Sequence, residues 1–331
     1  MSGESVLSGA YAAYLAGNLN LAQDKALKAW AAGGDEAAIF KLISTIRADQ
    51  VRQAQAERQQ KSVLAQRLGN QIMAQQYIQA LLAEPRFQDP LRLERHGKRI
   101  TSQNDEDGIL AEIFRRIGVV HKTFVEIGVG NGLENNTYAL MQQGWRGTWV
   151  DANQPKVAFI REHFAQTIAS GQLEMVESLV NAENVNGLLG RHAGQPEIDC
   201  LSIDIDGNDY HVWKAITAVN PRVAVVEYNA KYPPPASLVQ TYDPDYTWAK
   251  ERDGGASLGA MVKLGAEKGY QLVGCNLTGV NAFFVRRDLA GDRFVQPATA
   301  EHLYHPARYF LWEAGGFPIG GQGNMAPKLE V

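Results

Sequence analysis

From about residue 100 onward, short apolar runs alternate with segments whose apolar residues recur at helical spacing. This pattern is typical of parallel strands that are connected by helices. Strands are predicted at Thr123–Ile127, Gly147–Val150, Leu173–Val176, Ile198–Ile203 and Val223–Glu227. Helices are predicted to begin near Asn135, Gln154, Asn181 and Tyr210. The pattern therefore predicts an α/β fold with helices on both faces of the sheet.

Two further apolar runs, "YQLVGCNL" and "NAFFVRR", lie close together after the helical segment "SLGAMVKLGAEKG". A strand, a short connection and a second strand form an antiparallel hairpin most readily. We therefore expect this hairpin at one edge of the otherwise parallel sheet.

Residues 1–92 have a different texture, because they are rich in Ala, Gln and Arg and have apolar residues at helical spacing. Two short helices are predicted, with a break at Gly17-Asn18 and an end at Gly33-Gly34. An amphipathic helix follows, marked by Leu64, Leu68, Ile72, Ile78 and Leu82. Through Tyr14, Gly17, Ala26 and Trp30, the first pair resembles a single tetratricopeptide-type hairpin. We expect residues 1–92 to mediate homo-oligomerisation or protein docking, and residues 93–331 to form the second domain.

Composition narrows the functional classes. The formal net charge of -4 gives no basic field for nucleic acid. The longest apolar runs are too short to span a membrane, and the first residues lack the basic segment of a secretory signal, so we expect a cytoplasmic protein. Cys200 and Cys275 lie in apolar, strand-like runs, which favours buried thiols over a disulfide.

The segment "TFVEIGVGNGLENNTYAL" is the main candidate for a ligand-binding loop. Gly128, Gly130 and Gly132 follow a strand that ends near Glu126, and glycine lets a backbone approach a ligand closely. A dinucleotide site requires a third glycine where this chain has Leu133. Glu126 would repel a pyrophosphate but attract the cationic S-adenosylmethionine. Asp151 fits the ribose hydroxyls of either cofactor, so an NAD-linked oxidoreductase remains the alternative.

Five segments occur in a fixed order along the chain and together resemble a known protein family. They are "SQNDEDGILAEIF", "FVEIGVGNGLENNT", "GWRGTWVDAN", "LSIDIDGNDYHVWKAI" and "VVEYNAKYPP", followed by "NAFFVRRDL". Residues 100–290 resemble the FkbM-type class I methyltransferases. The resemblance implies a Rossmann-like seven-stranded sheet, S-adenosylmethionine as cofactor, and O-methylation of a sugar or natural-product hydroxyl. It also implies a set of cofactor-binding residues, namely Gln103, Glu126, Gly128, Gly130, Gly132, Asn136, Thr137 and Asp151.

A cluster of carboxylates follows the fourth and fifth predicted strands. Asp204 and Asp206 share one side of the chain, and Glu227 and Asn229 lie at the same edge of the sheet. Such oxygen ligands suit Mg²⁺ or Mn²⁺, and the layout resembles metal-dependent catechol-type O-methyltransferases. The alternative is that Asp206, Asn208 and Asp209 cap the next helix while Asp204 accepts a substrate hydrogen bond.

The general base is less clearly marked, and the candidates are His211 and Lys231, beside Asp204 and Asp206 as catalytic carboxylates. Residues 228–257 form a long insertion that is rich in aromatic residues and proline, which we expect to act as a substrate lid. The predicted function is O-methylation of a sugar, glycan or polyhydroxylated small molecule, assisted by a divalent metal. A non-catalytic cofactor-binding interaction protein is a further alternative.

Overall fold

The computed structural model describes residues 2–190, 197–247, 254–311 and 328–330. It separates the chain into two compact units, residues 1–72 and 73–331. The division falls earlier than the boundary at residue 92 expected from the sequence. The physical reason is that Leu81 and Phe87 pack with Leu277 and Leu311, in a cluster of the second unit.

The first unit is helical. Helix α1 spans Gly3–Leu15 and α2 spans Leu19–Ala31, and α3, Glu36–Leu82, continues beyond residue 72 into the second unit. The breaks predicted at Gly17-Asn18 and Gly33-Gly34 are confirmed, but the polar stretch before Leu64 belongs to α3 instead of separating two elements. The core of the first unit is built largely from alanines and from isoleucines of α3. The small alanine side chains allow the helices to pack closely.

The second unit contains a seven-stranded sheet in the order β3-β2-β1-β4-β5-β8-β7. Strands β1 to β5 are mutually parallel, and β8 is antiparallel to both β5 and β7. The sheet and its edge hairpin confirm the Rossmann-like seven-stranded fold expected from the sequence. The strand bounds are β1 Thr123–Ile127, β2 Arg146–Asp151, β3 Leu173–Glu177, β4 Glu197–Ile203, β5 Asn220–Glu227, β7 Tyr270–Cys275 and β8 Asn281–Arg286.

Helices cover both faces of this sheet. Alternate residues of each strand enter different apolar clusters: Val125 and Ile127 pack on one face, and Phe124 packs on the other. The helices of this unit are α4 Glu106–Ile117, α5 Tyr138–Gln142, α6 Gln154–His163, α7 Ala165–Ala169, α8 Val185–Leu189, α9 Asp209–Ala215, α10 Leu258–Glu267, α11 Arg287–Ala290 and α12 Ala300–Leu303. Short 3-10 helices occupy Pro85–Phe87, Glu94–His96 and Tyr309–Leu311.

The insertion at 228–257 contains a short strand that sequence reasoning missed. Strand β6, Leu238–Gln240, pairs antiparallel with β9, Lys328–Glu330. Residues 248–253 of the insertion lie outside the described residues. The described part returns to the sheet edge at Ala256, which bridges Val239. The insertion is therefore anchored at its base.

Within the described residues, no helix is both long and apolar enough to cross a membrane. Cys200 and Cys275 are both buried and free, as the sequence predicted. Burial raises the pKa of both thiols well above the ordinary value. Their role is packing within the two faces of the sheet.

Candidate active site

A cavity of about 930 Å³ opens at the carboxyl ends of the parallel strands. This volume lies within the range of ligand-binding clefts, and the position is where open α/β sheets bind ligands. Of the predicted site residues, Gly132, Thr137 and His211 do not line the cavity. Those that line it are Gln103, Glu126, Gly128, Gly130, Asn136, Asp151, Asp204, Asp206, Glu227, Asn229 and Lys231.

Gly128 is required by the protein's own backbone. Its φ is +86°, and a Cβ placed on it would lie 1.6 Å from the carbonyl oxygen of Asp204. The first glycine therefore lets the loop after β1 pass directly beside the end of β4. Sequence reasoning assigned this bare backbone to a ligand, whereas the nearest neighbour is the adjacent strand.

The other two glycines differ from each other. A Cβ on Gly132 would lie 2.7 Å from the ring of Trp149, so this glycine serves core packing, which explains why it does not line the cavity. A Cβ on Gly130 would meet only the Lys156 ammonium, at 3.8 Å. Gly130 is therefore the position at which the open backbone faces the cavity.

Glu126 holds the turn that follows the glycine loop. Its buried carboxylate accepts hydrogen bonds from the Asn135 side chain at 2.8 Å, the Asn136 amide at 2.8 Å, and the Thr137 amide and hydroxyl at 3.0 and 2.5 Å. Burial raises its pKa, and these hydrogen bonds oppose that shift. Thr137 also accepts a hydrogen bond from the Trp149 indole at 2.9 Å. Thr137 is thus enclosed in the wall, and it orders the turn instead of touching the cavity.

Asp151 connects the loops after β1 and β2. One carboxylate oxygen accepts the Gly130 amide hydrogen at 2.7 Å, and the other accepts that of Asn153 at 2.8 Å. Each oxygen keeps a second lone pair for a ligand hydroxyl. The side chain is therefore fixed in place before any ligand arrives.

Asp204, Asp206 and Glu227 converge at the ends of β4 and β5, where one carboxylate oxygen of each lies within 4.8 Å of the others. Burial, together with the neighbouring carboxylates, raises the pKa of Asp204 and of Glu227 well above their ordinary values. The two side chains also share a hydrogen bond. Converging carboxylates of this kind require protons or a cation to coexist. The geometry fits a divalent cation in these three side chains.

The alternative that Asp206, Asn208 and Asp209 cap α9 does not match the hydrogen bonds of the loop after β4. Asp206 has a positive φ of +59°, and the Asn208 side chain donates to the Asp243 carbonyl at 2.7 Å without capping α9. Asp209 instead accepts the amide hydrogens of Ile205 and Gly207, both at 2.8 Å. Burial raises the pKa of Asp209 to about 6. Asp209 therefore braces the loop that presents Asp204 and Asp206.

Asn229 is engaged with the chain around it. Its amide nitrogen donates to the Gly254 carbonyl at 2.8 Å, and its oxygen accepts the Lys231 amide hydrogen at 3.0 Å. Asn229 thus organises the base of the insertion, and its oxygen retains one lone pair for a further hydrogen bond or a cation. Lys231 lines the cavity beside it.

His211 has a structural environment. Its ring nitrogen Nε2 lies 2.7 Å from the Gln240 carbonyl oxygen, to which it donates, and its ring packs 5.0 Å from that of Tyr242. Burial lowers the pKa of His211, so the ring is neutral at pH 7. His211 lies outside the cavity and ties α9 to β6.

Several cavity residues were not anticipated from the sequence. Lys156 of α6 lies near Gly130, and Tyr246 of the insertion packs over Gly207, where a Cβ would lie 2.3 Å from its ring. Asn104 and Asn281 line the opposite side of the cavity. Their positions depend on contacts between distant segments, and no local sequence pattern marks them.

The acidic cluster should make stability fall as pH rises. In the unfolded chain these acids lose protons near pH 4, whereas in the folded state burial raises the pKa of Asp209 to about 6 and the pKa of Asp204 well above its ordinary value. Relative to Asp204→Asn, wild type should lose up to about 1.4 kcal/mol per pH unit as pH rises from 5 upward without metal. Urea unfolding at three pH values measures this.

The matched control is Asp288→Asn, because the Arg286 guanidinium lowers the pKa of Asp288. That carboxyl is ionised in both states above pH 5, so the stability difference from wild type should stay constant across the same window. Parallel profiles for wild type and Asp204→Asn would contradict the assignment.

Comparison with known proteins gives only distant similarities. No protein-family model matches the chain, and no curated protein does. The magnesium protoporphyrin IX methyltransferase of Synechocystis PCC 6803, with bound SAH, is 13% identical over 56% of this chain and 82% of its own, at a TM-score of 0.38. An O-methyltransferase from Bacillus cereus, in complex with SAH, is 16% identical over 49% of this chain and 67% of its own, at a TM-score of 0.30.

An S-adenosylmethionine-dependent methyltransferase from Clostridium acetobutylicum is 12% identical over 53% of this chain and 88% of its own, at a TM-score of 0.33. With TM-scores below 0.5, these similarities carry no argument about the activity of this chain. The fold assignment rests on the strand order itself.

Proposed function

We propose that this protein transfers a methyl group from S-adenosylmethionine to a hydroxyl of a sugar, glycan or other polyhydroxylated small molecule, with a divalent metal. The observation that carries the proposal is that one cavity joins the glycine loop and Asp151 to the carboxylates of Asp204, Asp206 and Glu227. The first group suits a cationic nucleoside donor, and the second suits a metal that orients an acceptor.

The adenosine portion of the donor is assigned to the half of the cavity formed by β1, β2 and β3. Its ribose hydroxyls would bind the remaining lone pairs of Asp151, and its adenine would lie among the lining residues Ala152, Ser178 and Leu179. The sulfonium and ammonium groups face a cavity rich in carboxylates, which attract them. A pyrophosphate would be repelled by the same carboxylates, and this argues against the NAD-linked oxidoreductase.

The metal is assigned to Asp204, Asp206 and Glu227, with Asn229 as a fourth candidate ligand. Mg²⁺ or Mn²⁺ in such an all-oxygen site lowers the pKa of a bound hydroxyl and fixes its orientation. The chain contributes positioning: Asp209 braces the metal-binding loop, and Tyr246 covers it from the insertion. This cover supports the expected role of residues 228–257 as a substrate lid.

Methyl transfer is an in-line displacement that depends on near-attack geometry. The acceptor oxygen forms a bond to the methyl carbon while the bond from carbon to sulfur breaks, and the hydroxyl proton passes to a base. Of the candidate bases His211 and Lys231, Lys231 lines the cavity and is therefore assigned this role. The catalytic carboxylates Asp204 and Asp206 are assigned to holding the metal.

Calorimetric titration with S-adenosylhomocysteine and with NAD, each with Mg²⁺ and with chelator, tests the donor assignment. We expect binding of S-adenosylhomocysteine alone. Transfer of a labelled methyl group to a mixture of vicinal diols and sugars then tests the acceptor class. Turnover that survives exhaustive chelation would exclude the metal, and donor binding without any turnover would favour the non-catalytic alternative.

We also propose that the N-terminal helices join two or more copies of this chain. Leu64, Leu68 and Ile72 of α3 are 58%, 52% and 58% exposed, and their spacing places them on one face of the helix. Apolar residues that repeat along an exposed face favour association with a second helix. Docking of another protein is the alternative use of this face.

The double variant Leu64→Glu/Leu68→Glu should convert the assembly to monomers, because each carboxylate would lose its hydration in the interface. Sedimentation velocity at micromolar concentration measures the change. The control Gln59→Glu/Gln66→Glu adds the same two charges at exposed polar positions of α3 and should keep the assembly. A wild type that is already monomeric would leave protein docking as the explanation.

A further inference from the structure

A buried carboxylate lies behind the cavity wall, on α4. Glu106 is 0% exposed and does not line the cavity. Its oxygens accept the Asn104 backbone amide at 2.9 Å and the side-chain amides of Asn104, Asn276 and Asn281 at 3.0, 2.7 and 2.9 Å. One carboxylate therefore gathers three asparagine side chains.

This arrangement fixes how each amide is turned. A carboxylate only accepts hydrogen bonds, so each asparagine must direct its NH₂ group to Glu106 and its oxygen elsewhere. The Asn276 oxygen accepts the amide hydrogens of Val280 and Asn281, which shapes the turn between β7 and β8. The side-chain oxygens of Asn104 and Asn281 accept no comparable backbone hydrogen bonds among the described residues.

Asn104 and Asn281 both line the cavity. Among the described residues, the Asn281 oxygen has no donor, although the side chain is 3% exposed. The Asn104 oxygen has no donor among the described residues either. A buried amide oxygen without a donor, such as that of Asn281, is unfavourable, so the site gains when a ligand supplies one.

The strand order indicates which part of the donor reaches these oxygens. Asp151, the ribose ligand of the proposed function, ends β2, and the order continues through β1, β4 and β5 to β8. Asn281 begins β8 and faces Glu227 across the antiparallel pair. With the adenosine held at β2 and β3, the amino-acid portion would extend past the ends of β1, β4 and β5 toward Asn104 and Asn281.

We propose that Glu106 is a positioning residue that turns the amide oxygens of Asn104 and Asn281 toward the ammonium group of the donor's amino-acid portion. This inference rests on the proposed function. An ammonium group carries three donor hydrogens and no acceptor, which matches these two amide oxygens. Glu106 does not touch the ligand, and its negative charge strengthens the amide dipoles that do.

The test compares two ligands that differ in the amino-acid portion. S-adenosylhomocysteine has the ammonium group, whereas 5′-methylthioadenosine keeps the adenosine and the thioether but lacks the amino acid. In Glu106→Gln the negative charge is lost, and the new NH₂ group opposes either the Asn104 backbone amide, which Oε2 accepts, or the three asparagine NH₂ groups, which share Oε1. We expect calorimetry to show S-adenosylhomocysteine binding weakened about tenfold or more and 5′-methylthioadenosine binding changed less than about twofold.

Asn281→Ala removes one oxygen directly and should give the same selective loss, so it decides the question if Glu106→Gln does not fold. Glu112→Gln on the same helix is the control, because Glu112 pairs with Arg115 and Arg116 and does not line the cavity. Equal weakening of both ligands, or of neither, would overturn the proposal. Failure of wild type to bind S-adenosylhomocysteine at all would instead overturn the proposed function.

Discussion

Replacement of Glu227 by Gln should remove divalent-metal binding and turnover while leaving the donor site intact. Glu227 contributes one of three carboxylates whose oxygens lie within 4.8 Å of one another, and its neutral isostere removes a full negative charge from them. Because one charged metal ligand is lost, we expect the affinity for Mn²⁺ to fall by about 100-fold or more and the rate of methyl transfer to fall by about 1000-fold.

Electron paramagnetic resonance of added Mn²⁺ measures the first effect, and label transfer measures the second. Binding of S-adenosylhomocysteine should change by less than about threefold, because Glu227 is assigned to the metal, whereas the donor is assigned to Asp151, Asn104 and Asn281. Glu197→Gln, at the opposite end of β4 and paired with Arg286, is the control. Loss of donor affinity in Glu227→Gln would place this carboxylate in the donor pocket instead.

Gly128→Ala should destabilise the protein far more than Gly130→Ala, although both glycines have positive φ. The conformational cost of a side chain at such φ values is about 1–3 kcal/mol and applies to both. Gly128→Ala adds a contact of 1.6 Å with the Asp204 carbonyl, whereas Gly130→Ala meets only a flexible ammonium at 3.8 Å. We expect about 4 kcal/mol or more for Gly128→Ala, or failure to fold.

Chemical denaturation of the two variants, beside wild type, measures the difference. Gly130→Ala should fold and instead lose donor affinity, because this is the glycine whose backbone faces the cavity. Similar unfolding free energies for the two variants would show that the approach of the β1 loop to β4 is looser than these distances indicate.

The sequence predicted the strands of the main sheet well, because their apolar runs are bounded by polar turns and glycines. Strand β1 was predicted with its final bounds, and β7 and β8 were predicted as an antiparallel edge pair. The small pair of β6 and β9 was missed, since three-residue strands leave no periodicity to detect.

Site residues were harder to interpret than to find. Gly128 and Gly132 stand out in the sequence, yet their close neighbours are Asp204 and Trp149, which strand register brings to them. His211 was considered a base from its local sequence, but its partner Gln240 is 29 residues away. Glu106 was overlooked because two of its partners are 170 and 175 residues distant.

The insertion at residues 228–257 lines the cavity, and this has a consequence for how the acceptor specificity of the protein could change. Residues 228–257 contribute Tyr246, Thr247, Gly254 and Gly255 to the cavity, whereas the loops after β1 and β2 contribute Gly130 and Asp151. The two sets belong to separate stretches of chain. Changes of length or sequence in the insertion could therefore alter which acceptors are admitted while the nucleoside pocket stays under independent selection, which makes this segment the natural place to engineer a new specificity.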